Sequence, residues 1–344
     1  MHNVTVPDVG NWEKDHTQGV VRVPEWLQSY KGSTSGYTNF IVTRSEEHDY
    51  WGGELYRFNH VSLGPAESDG LPFNATDSTS DVEISNSIPS YWMDHPGGMQ
   101  MSGRYLFLGV EEVGGANDAE YAVFDLQNNT SAAPTQKWRY LDTAANGGAA
   151  GLSITHLQGE NYTYDYMFGT LARSFLMAGT DGTNFRFFRL APDAYKWVDV
   201  GSQDTACSPN YWSYCSPSGF SFLGEWGATG GSYGELQHIS LVTQKDGKVF
   251  LIGTAEVSGA DKIYVFRIYF NGQWMQSGQY CSQVLCPYKQ LEKQVSTQGC
   301  TNDSMFEWSA GTYIMPPNRF AVYGTEGGST DDLLDICEWD SWTP

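Results

Sequence analysis

Two copies of an Asp-His dipeptide are the residues of this sequence best suited to chemistry. Asp15-His16 and Asp94-His95 each stand at the same distance before a glycine, in segments 15–19 and 94–98. Two imidazoles and two carboxylates that converge can bind a divalent metal ion or act as general acid and base. The alternative interpretation is that each aspartate only orients its histidine, or caps a turn, and so holds a loop in place.

Three further polar residues could join this group at the centre of the fold. His156 and His238 occupy short segments typical of buried strands, and Gln100 has a comparable position. We therefore predict a central polar pocket in which His95, Gln100, His156 and His238 contact a ligand. The alternative for the two strand histidines is that they only pack and hydrogen-bond within the protein.

Aromatic side chains in loop-like contexts indicate carbohydrate as the ligand. The chain has 12 Trp and 21 Tyr, and Tyr91-Trp92 shortly precede the second Asp-His pair. Exposed aromatic faces can stack on sugar rings while neighbouring polar groups bond to hydroxyls. We expect Tyr91 and Trp92 to bind the ligand. The alternative is that such tryptophans, like most in this kind of fold, pack in the hydrophobic core. Other aromatics in similar contexts are Tyr50-Trp51, Tyr211-Trp212 and Trp226.

Acidic side chains offer a second kind of site. Glu111, Glu112, Asn117 and Asp118 could ligate Ca²⁺ through oxygen, although their spacing differs from that of an EF-hand loop. Paired carboxylates across a cleft are also what glycoside hydrolysis requires. A divalent cation such as calcium is the cofactor that this segment suggests, and a solvated surface is the alternative.

Composition excludes several classes of function. With 40 acidic and 19 basic residues the net charge is −21, which repels nucleic-acid phosphates and anionic lipids. No apolar run approaches the roughly 18 residues of a membrane span. The sequence has no nucleophile elbow, phosphate-binding loop, zinc-protease motif or dinucleotide fingerprint in a credible context. We therefore expect neither nucleic acid nor a membrane span.

An internal repeat supplies the elements that must position these residues. Its copies have four apolar residues, a glycine and, shortly after it, an acid, and Thr43 replaces the glycine in a weaker fifth copy. The marker positions recur every 65 to 75 residues, roughly, and a second apolar segment follows each copy. Such segments predict buried strands. The copies are residues 40–44, 105–111, 175–181, 249–256 and 320–326.

Two other patterns flank these strands. Glycine-containing turns, among them 15–19 and 94–98, precede the presumed innermost strands, as expected where backbones crowd towards an axis. Tryptophan segments follow three of the units and predict outer strands whose indoles cap a sheet edge. These segments are 138–141, 196–200 and 273–275.

The repeat resembles the general architecture of β-propeller proteins over nearly the whole chain. The resemblance implies an all-β fold, with residues 1–344 as a single five-bladed β-propeller of about 70 residues per blade. Long loops join the strands, and the two termini complete one shared blade. It implies no particular activity, because no catalytic signature accompanies it. The expected blade limits are 18–90, 91–145, 146–205, 228–290 and 297–344 with N-terminal closure.

Cysteine usage indicates an oxidising compartment. The simplest of the fifteen possible connectivities for six cysteines joins neighbours in sequence, and such disulfides are typical of secreted proteins. Six glycosylation sequons favour the same compartment. We therefore expect a secreted protein whose leader has been removed. The predicted disulfides are Cys207–Cys215, Cys281–Cys286 and Cys300–Cys337, and the sequons begin at Asn3, Asn74, Asn128, Asn129, Asn161 and Asn302.

Three hypotheses for function follow. The first is a secreted β-propeller that binds carbohydrate or polysaccharide through aromatic loops and a central polar pocket. The second is a polysaccharide-degrading hydrolase or lyase with its site near Asp94 and His95. The third is a structural or assembly subunit whose loops contact other proteins. The sequence leaves open whether the protein is an enzyme, because fold alone does not choose between these hypotheses.

Overall fold

The computed structural model of this chain is all-β: its described residues form twenty strands and no helix. This confirms the all-β part of the predicted fold class. The structure describes residues 2–7, 16–23, 37–45, 57–65, 79–82, 93–112, 119–125, 135–142, 151–157, 174–190, 221–227, 233–295, 306, 310–315, 319–326 and 333–339.

The strands assemble into five antiparallel units of four strands each. Unit 1 contains β2 (His16–Arg22), β3 (Tyr37–Ser45), β4 (Arg57–Pro65) and β5 (Thr79–Val82). Unit 2 contains β6 (Met93–Ser102), β7 (Tyr105–Glu112), β8 (Ala119–Asp125) and β9 (Thr135–Asp142). Unit 3 contains β10 (Gly151–His156), β11 (Phe175–Thr180), β12 (Asn184–Leu190) and β13 (Ser221–Gly227). Unit 4 contains β14 (His238–Thr243), β15 (Val249–Glu256), β16 (Asp261–Phe270) and β17 (Leu285–Gln294).

Unit 5 is built from both ends of the chain. It contains β18 (Ala310–Met315), β19 (Arg319–Glu326), β20 (Leu333–Trp339) and β1 (His2–Pro7). Strand β1 pairs antiparallel with β20, with Asn3 opposite Cys337. The two ends of the sequence therefore share one sheet, as the repeat predicts.

The first strands of the units contact one another. Gly151 of β10 forms a parallel bridge with Gly98 of β6, and Ala310 of β18 forms one with Gly19 of β2. Strand β6 also packs on β2, and β14 packs on both β10 and β18. Units 1 and 5 therefore form one eight-stranded sheet and units 2 and 3 another, while unit 4 is a four-stranded sheet.

Apolar clusters lie between neighbouring units. Residues from the second and third strands of the units contribute to these clusters, which explains why both segments of the repeat are apolar. Tyr121 of unit 2 meets Phe188 of unit 3 edge to face, with 5.6 Å between ring centroids. Phe40 of unit 1 meets Tyr323 of unit 5 in the same manner at 5.1 Å. Fully burying one such aromatic ring contributes about 1.5–3 kcal/mol, so these contacts are a principal force between units.

The marker glycines of the repeat leave space for a neighbour. A Cβ atom on Gly179 would lie 2.5 Å from ring atoms of Tyr121, which belongs to the preceding unit. A Cβ atom on Gly253 would lie 2.8 Å from Leu236. Gly179 and Gly253 are thus required by packing.

The sequence predicts that the glycine-containing segments of units 1 and 2 are turns before the innermost strand. They are instead bulged parts of that strand. The register shifts between Thr17 and Gly19 in β2, and again between Pro96 and Met99 in β6. A Cβ atom on Gly98 would lie 2.7 Å from the Gln237 carbonyl oxygen. Close approach of the chain at the start of unit 4 therefore explains Gly98.

Two tryptophan predictions are wrong in position. Trp274 lies in the connection between β16 and β17 rather than in an outer strand. Trp226 lies in β13 rather than in a loop, and its ring packs 5.2 Å from that of Phe266. Trp138 does lie in the outer strand β9, while segment 196–200 falls outside the described residues.

Of the three predicted disulfides, Cys281–Cys286 is confirmed, with the two Cα atoms 5.8 Å apart. The other two pairs involve Cys207, Cys215 and Cys300, which lie outside the described residues. The part of the chain that the structure describes includes no helix long and apolar enough to cross a membrane.

Candidate functional site

Gln100 joins three of the first strands where they approach each other. Its side-chain oxygen accepts hydrogen bonds from the backbone N–H groups of Ile154, at 3.0 Å, and Leu241, at 3.1 Å. Its amide nitrogen donates to the Leu241 carbonyl oxygen at 2.9 Å. The side chain is buried, so one amide replaces the backbone pairing that β6, β10 and β14 lack at this level.

Replacing Gln100 by methionine is expected to lower the free energy of unfolding by about 2–3 kcal/mol, because buried backbone groups of Ile154 and Leu241 lose their partner. Urea unfolding followed by circular dichroism measures this change. The matched control is Gln294→Met on β17, where the glutamine is exposed. Equal stability of the two variants would contradict the linking role of Gln100.

His238 belongs to a second buried polar group. Its Nε2 atom lies 3.0 Å from Ser240 Oγ and 3.3 Å from Thr312 Oγ1, and the Thr312 hydroxyl donates to Ser240. Nε2 can exchange a hydrogen bond with either hydroxyl, so the three side chains form one buried hydrogen-bonded group. The three side chains connect β14 to β18.

The other nitrogen of His238 has no hydrogen-bond partner among the described residues. It faces Gly98, where a Cβ atom would lie only 3.0 Å from Nδ1. The side chain is fully buried, and this burial lowers the pKa of His238 to about 3. The histidine is therefore neutral at physiological pH and acts as a packing and hydrogen-bonding group.

The residues that the sequence predicts at a central pocket have different environments. Gln100 and His238 are buried and bonded to protein, whereas His156 is partly exposed at the end of β10 and its ring lies 4.8 Å from that of Phe175. Their predicted contact with a ligand stays a prediction.

The Asp-His predictions can be followed only along the backbone. His16 begins β2, opposite Ser45 of β3. His95 lies in β6 opposite Glu111 of β7, so the second Asp-His pair and the acidic segment share one end of unit 2. The catalytic role of these residues stays a prediction. Asp15, Tyr91, Trp92, Asn117 and Asp118 lie outside the described residues.

The predicted metal site stays a prediction, because part of it lies outside the described residues. Within the described ranges no group of three or more His, Cys, Asp and Glu side chains is arranged to hold a metal ion. Two of the four predicted calcium ligands, Asn117 and Asp118, fall outside those ranges.

The connection between β16 and β17, residues 271–284, is a second candidate site that sequence reasoning missed; we call it the aromatic hairpin. Trp274 and Tyr280 face each other across it as an isolated antiparallel bridge. Their rings meet edge to face, with centroids 5.5 Å apart and planes at 70°. Trp274 is 71% exposed and Tyr280 50% exposed, which makes them the most conspicuous aromatic pair on the described surface.

The backbone of the aromatic hairpin is closely hydrogen-bonded. Cys281 N–H donates to the Gln273 carbonyl at 2.9 Å, and Met275 N–H donates to the Gln279 carbonyl at 2.8 Å. Gly272 and Gly278 adopt positive φ angles of 91° and 78°, which reverse the chain at each turn. The Cys281–Cys286 disulfide joins the hairpin to β17. The two exposed rings therefore stand on a rigid base.

The other exposed side chains of the aromatic hairpin are polar and uncharged. Gln276, Gln279 and Gln283 are exposed, as are Ser277 and Ser282. Amides and hydroxyls can both donate to and accept from sugar hydroxyls, while the ring faces contact the apolar C–H side of a sugar. The sequence signal for this site is a segment rich in Gln and Ser, punctuated by glycine and closed by two cysteines.

No protein-family model matches the chain, and no curated protein is significantly similar to it in sequence. Among solved structures, it is similar to an exo-β-1,3-galactanase, 1,3Gal43A, from Clostridium thermocellum, with 8% identity and a TM-score of 0.42. That match covers 95% of this chain and 59% of the galactanase chain, so this chain spans well under two thirds of the galactanase's length.

Two other solved structures are similar at lower scores. One is a subtype N10 neuraminidase-like protein of A/little yellow-shouldered bat/Guatemala/060/2010, with 12% identity, a TM-score of 0.34, and coverage of 88% of this chain and 77% of that chain. The other is the Cps50 (Swd1) β-propeller domain of Myceliophteria thermophila, with 9% identity, a TM-score of 0.29, and coverage of 90% and 81%. None of these TM-scores reaches 0.5, so the likenesses assign neither a fold nor an activity to this chain.

Proposed function

We propose that this chain is a single five-bladed β-propeller that binds carbohydrate through the aromatic hairpin. Each four-stranded unit is one blade, and the contacts of β14 with β18 and of β18 with β2 support a closed ring. The links that Gln100 and His238 make between first strands support the same arrangement. A density map with a gap between units 4 and 5 would contradict closure.

The exposure of Trp274 and Tyr280 carries the functional proposal. Most of the large aromatic side chains described are buried in the core, whereas Trp274 and Tyr280 are exposed on a rigid hairpin. An exposed tryptophan 71% accessible to water gains little free energy in the free protein, whereas stacking on a sugar would remove its face from water. Surrounding amides would then orient the hydroxyls.

The aromatic hairpin lies far from the Asp-His segments in the proposed ring. Within unit 4 it joins β16 to β17, at the same end as the turn at residues 244–248 between β14 and β15. His95 lies near the beginning of β6, at the opposite end of its unit. With parallel first strands, the two candidate sites would occupy opposite faces of the ring.

Replacing Trp274 by alanine is expected to weaken binding to polysaccharide at least about tenfold, because aromatic anchors dominate binding free energy. Affinity electrophoresis against a panel of neutral and acidic polysaccharides, with the wild-type protein as reference, measures the effect. A melting curve of the variant checks that its fold is unchanged.

Phe222→Ala is the matched control, since Phe222 is 51% exposed but lies on β13 rather than on the aromatic hairpin. It should bind as the wild type does. Wild-type affinity in Trp274→Ala would contradict the assignment of the site, and a panel with no bound polysaccharide at high protein concentration would contradict the function.

Secretion is part of the same proposal. The Cys281–Cys286 disulfide supports an oxidising compartment, where such bonds persist. An extracellular location would also give the hairpin access to polysaccharide.

A further inference from the structure

We propose that the aromatic hairpin selects neutral polysaccharide and binds it along the interior of the chain, not at a chain end. The inference rests on the proposed carbohydrate-binding function and adds the class of ligand. Two properties of the hairpin carry it: the absence of charge in residues 271–284, and the exposed position of both aromatic rings.

Charge is missing from this segment although the chain as a whole is strongly acidic. Residues 271–284 contain four Gln, one Asn and two Ser, and no Asp, Glu, Lys or Arg, while the whole sequence has a net charge of −21. A uronate or sulfate group stacked here would be partly desolvated without a cationic partner from the hairpin. The field of the whole protein would repel it further.

Amide side chains match neutral sugars instead. Each exposed glutamine offers two N–H donors and one carbonyl acceptor, which is the balance that a sugar hydroxyl needs. Gln276 and Gln279 lie in the tip of the hairpin, and Gln283 follows Tyr280 along the chain. The site can therefore bind hydroxyl groups without needing any ion.

The shape of the site favours the interior of a polymer. Trp274 and Tyr280 lie on a projecting hairpin whose tip, residues 276–280, is exposed throughout. A chain end is normally recognised in a concave pocket that encloses the terminal sugar. Because the rings are inclined at 70°, one face can lie flat on a sugar while the other ring contacts a neighbouring part of the polymer.

Rigidity makes such an open site effective. The paired backbone of the hairpin and its disulfide hold both rings before the ligand arrives, so few side-chain and loop motions are lost on binding. An open platform of this kind lets a long polymer enter and leave from the side.

The test compares each neutral polymer with its own carboxymethylated derivative. The probes are a glucan, a galactan, a mannan and a xylan, each offered neutral and carboxymethylated to the full-length protein in affinity electrophoresis. We expect at least one neutral polymer to bind and its derivative to bind at least about tenfold more weakly. The monosaccharide, offered as competitor, should displace the polymer poorly, because it fills only part of the platform.

A variant extends the test to the hairpin itself. Gln279→Lys adds a cation next to Tyr280 and is expected to narrow the difference between the neutral polymer and its derivative, whereas Gln294→Lys on β17, outside the hairpin, should not. Equal or tighter binding of the derivative by the wild type would overturn the selectivity while leaving carbohydrate binding intact. Full competition by the monosaccharide would overturn binding along the interior of the polymer. Failure of every polymer to bind would overturn the proposed function itself.

Discussion

Replacing Gly311 by alanine is expected to lower the free energy of unfolding by at least about 4 kcal/mol. Gly311 lies in β18, and a Cβ atom there would overlap the Val20 carbonyl oxygen of β2. The atom in the way belongs to the backbone, so no side-chain rotation can relieve the overlap. The two strands must separate, and the contact between units 5 and 1 separates with them.

Urea unfolding measures this effect, with Gly151→Ala as the matched control. Gly151 also lies in a first strand, but its nearest neighbours would be 3.4 Å from a new Cβ atom, which is an ordinary contact. We expect a change below about 1 kcal/mol for this control. If Gly311→Ala were as stable as Gly151→Ala, the close approach of β18 to β2 would be wrong.

Acid is expected to destabilise the protein through His238. Burial lowers the pKa of His238 in the folded state to about 3, while an unfolded chain takes up the proton near 6.5. The unfolded state therefore binds this proton first as pH falls. The contribution to stability is complete above about pH 6.5, declines by up to about 1.4 kcal/mol per pH unit below it, and levels off near pH 3.

The total loss from this one histidine is at most about 5 kcal/mol, as follows from the two pKa values. Between pH 7.5 and 4, the free energy of unfolding should fall more steeply for the wild type than for His238→Gln. The glutamine retains a polar side chain but cannot take up the proton. An NMR titration gives a second measurement that needs no variant. A His238 ring signal that titrates near pH 6.5 in the folded protein would contradict the burial.

Much of the fold can be predicted from the sequence because its repeats carry their own packing rules. The apolar segments with glycine correspond to β7, β11, β15 and β19, and the weaker copy with Thr43 corresponds to β3. The spacing also predicts the sheet shared by the two ends of the chain. Period and pattern are local properties, so a single sequence records them.

The candidate site was harder to predict because it depends on exceptions to those rules. Trp274 follows a strand, as the outer-strand tryptophans do, but Gly272 reverses the chain before it and moves the ring out of the sheet. Gln100 looks like a ligand-binding side chain in the sequence, whereas its partners are backbone groups of two other units. Such long-range contacts leave no spacing pattern to detect.

The pairing of β1 with β20 has a consequence for folding during synthesis. The partner of β1, Leu333–Trp339, leaves the ribosome more than 300 residues after His2–Pro7. At usual rates of translation this interval is on the order of tens of seconds. During that time β1 lacks its partner strand, and a chaperone or a neighbouring chain can bind it before β20 has been synthesised.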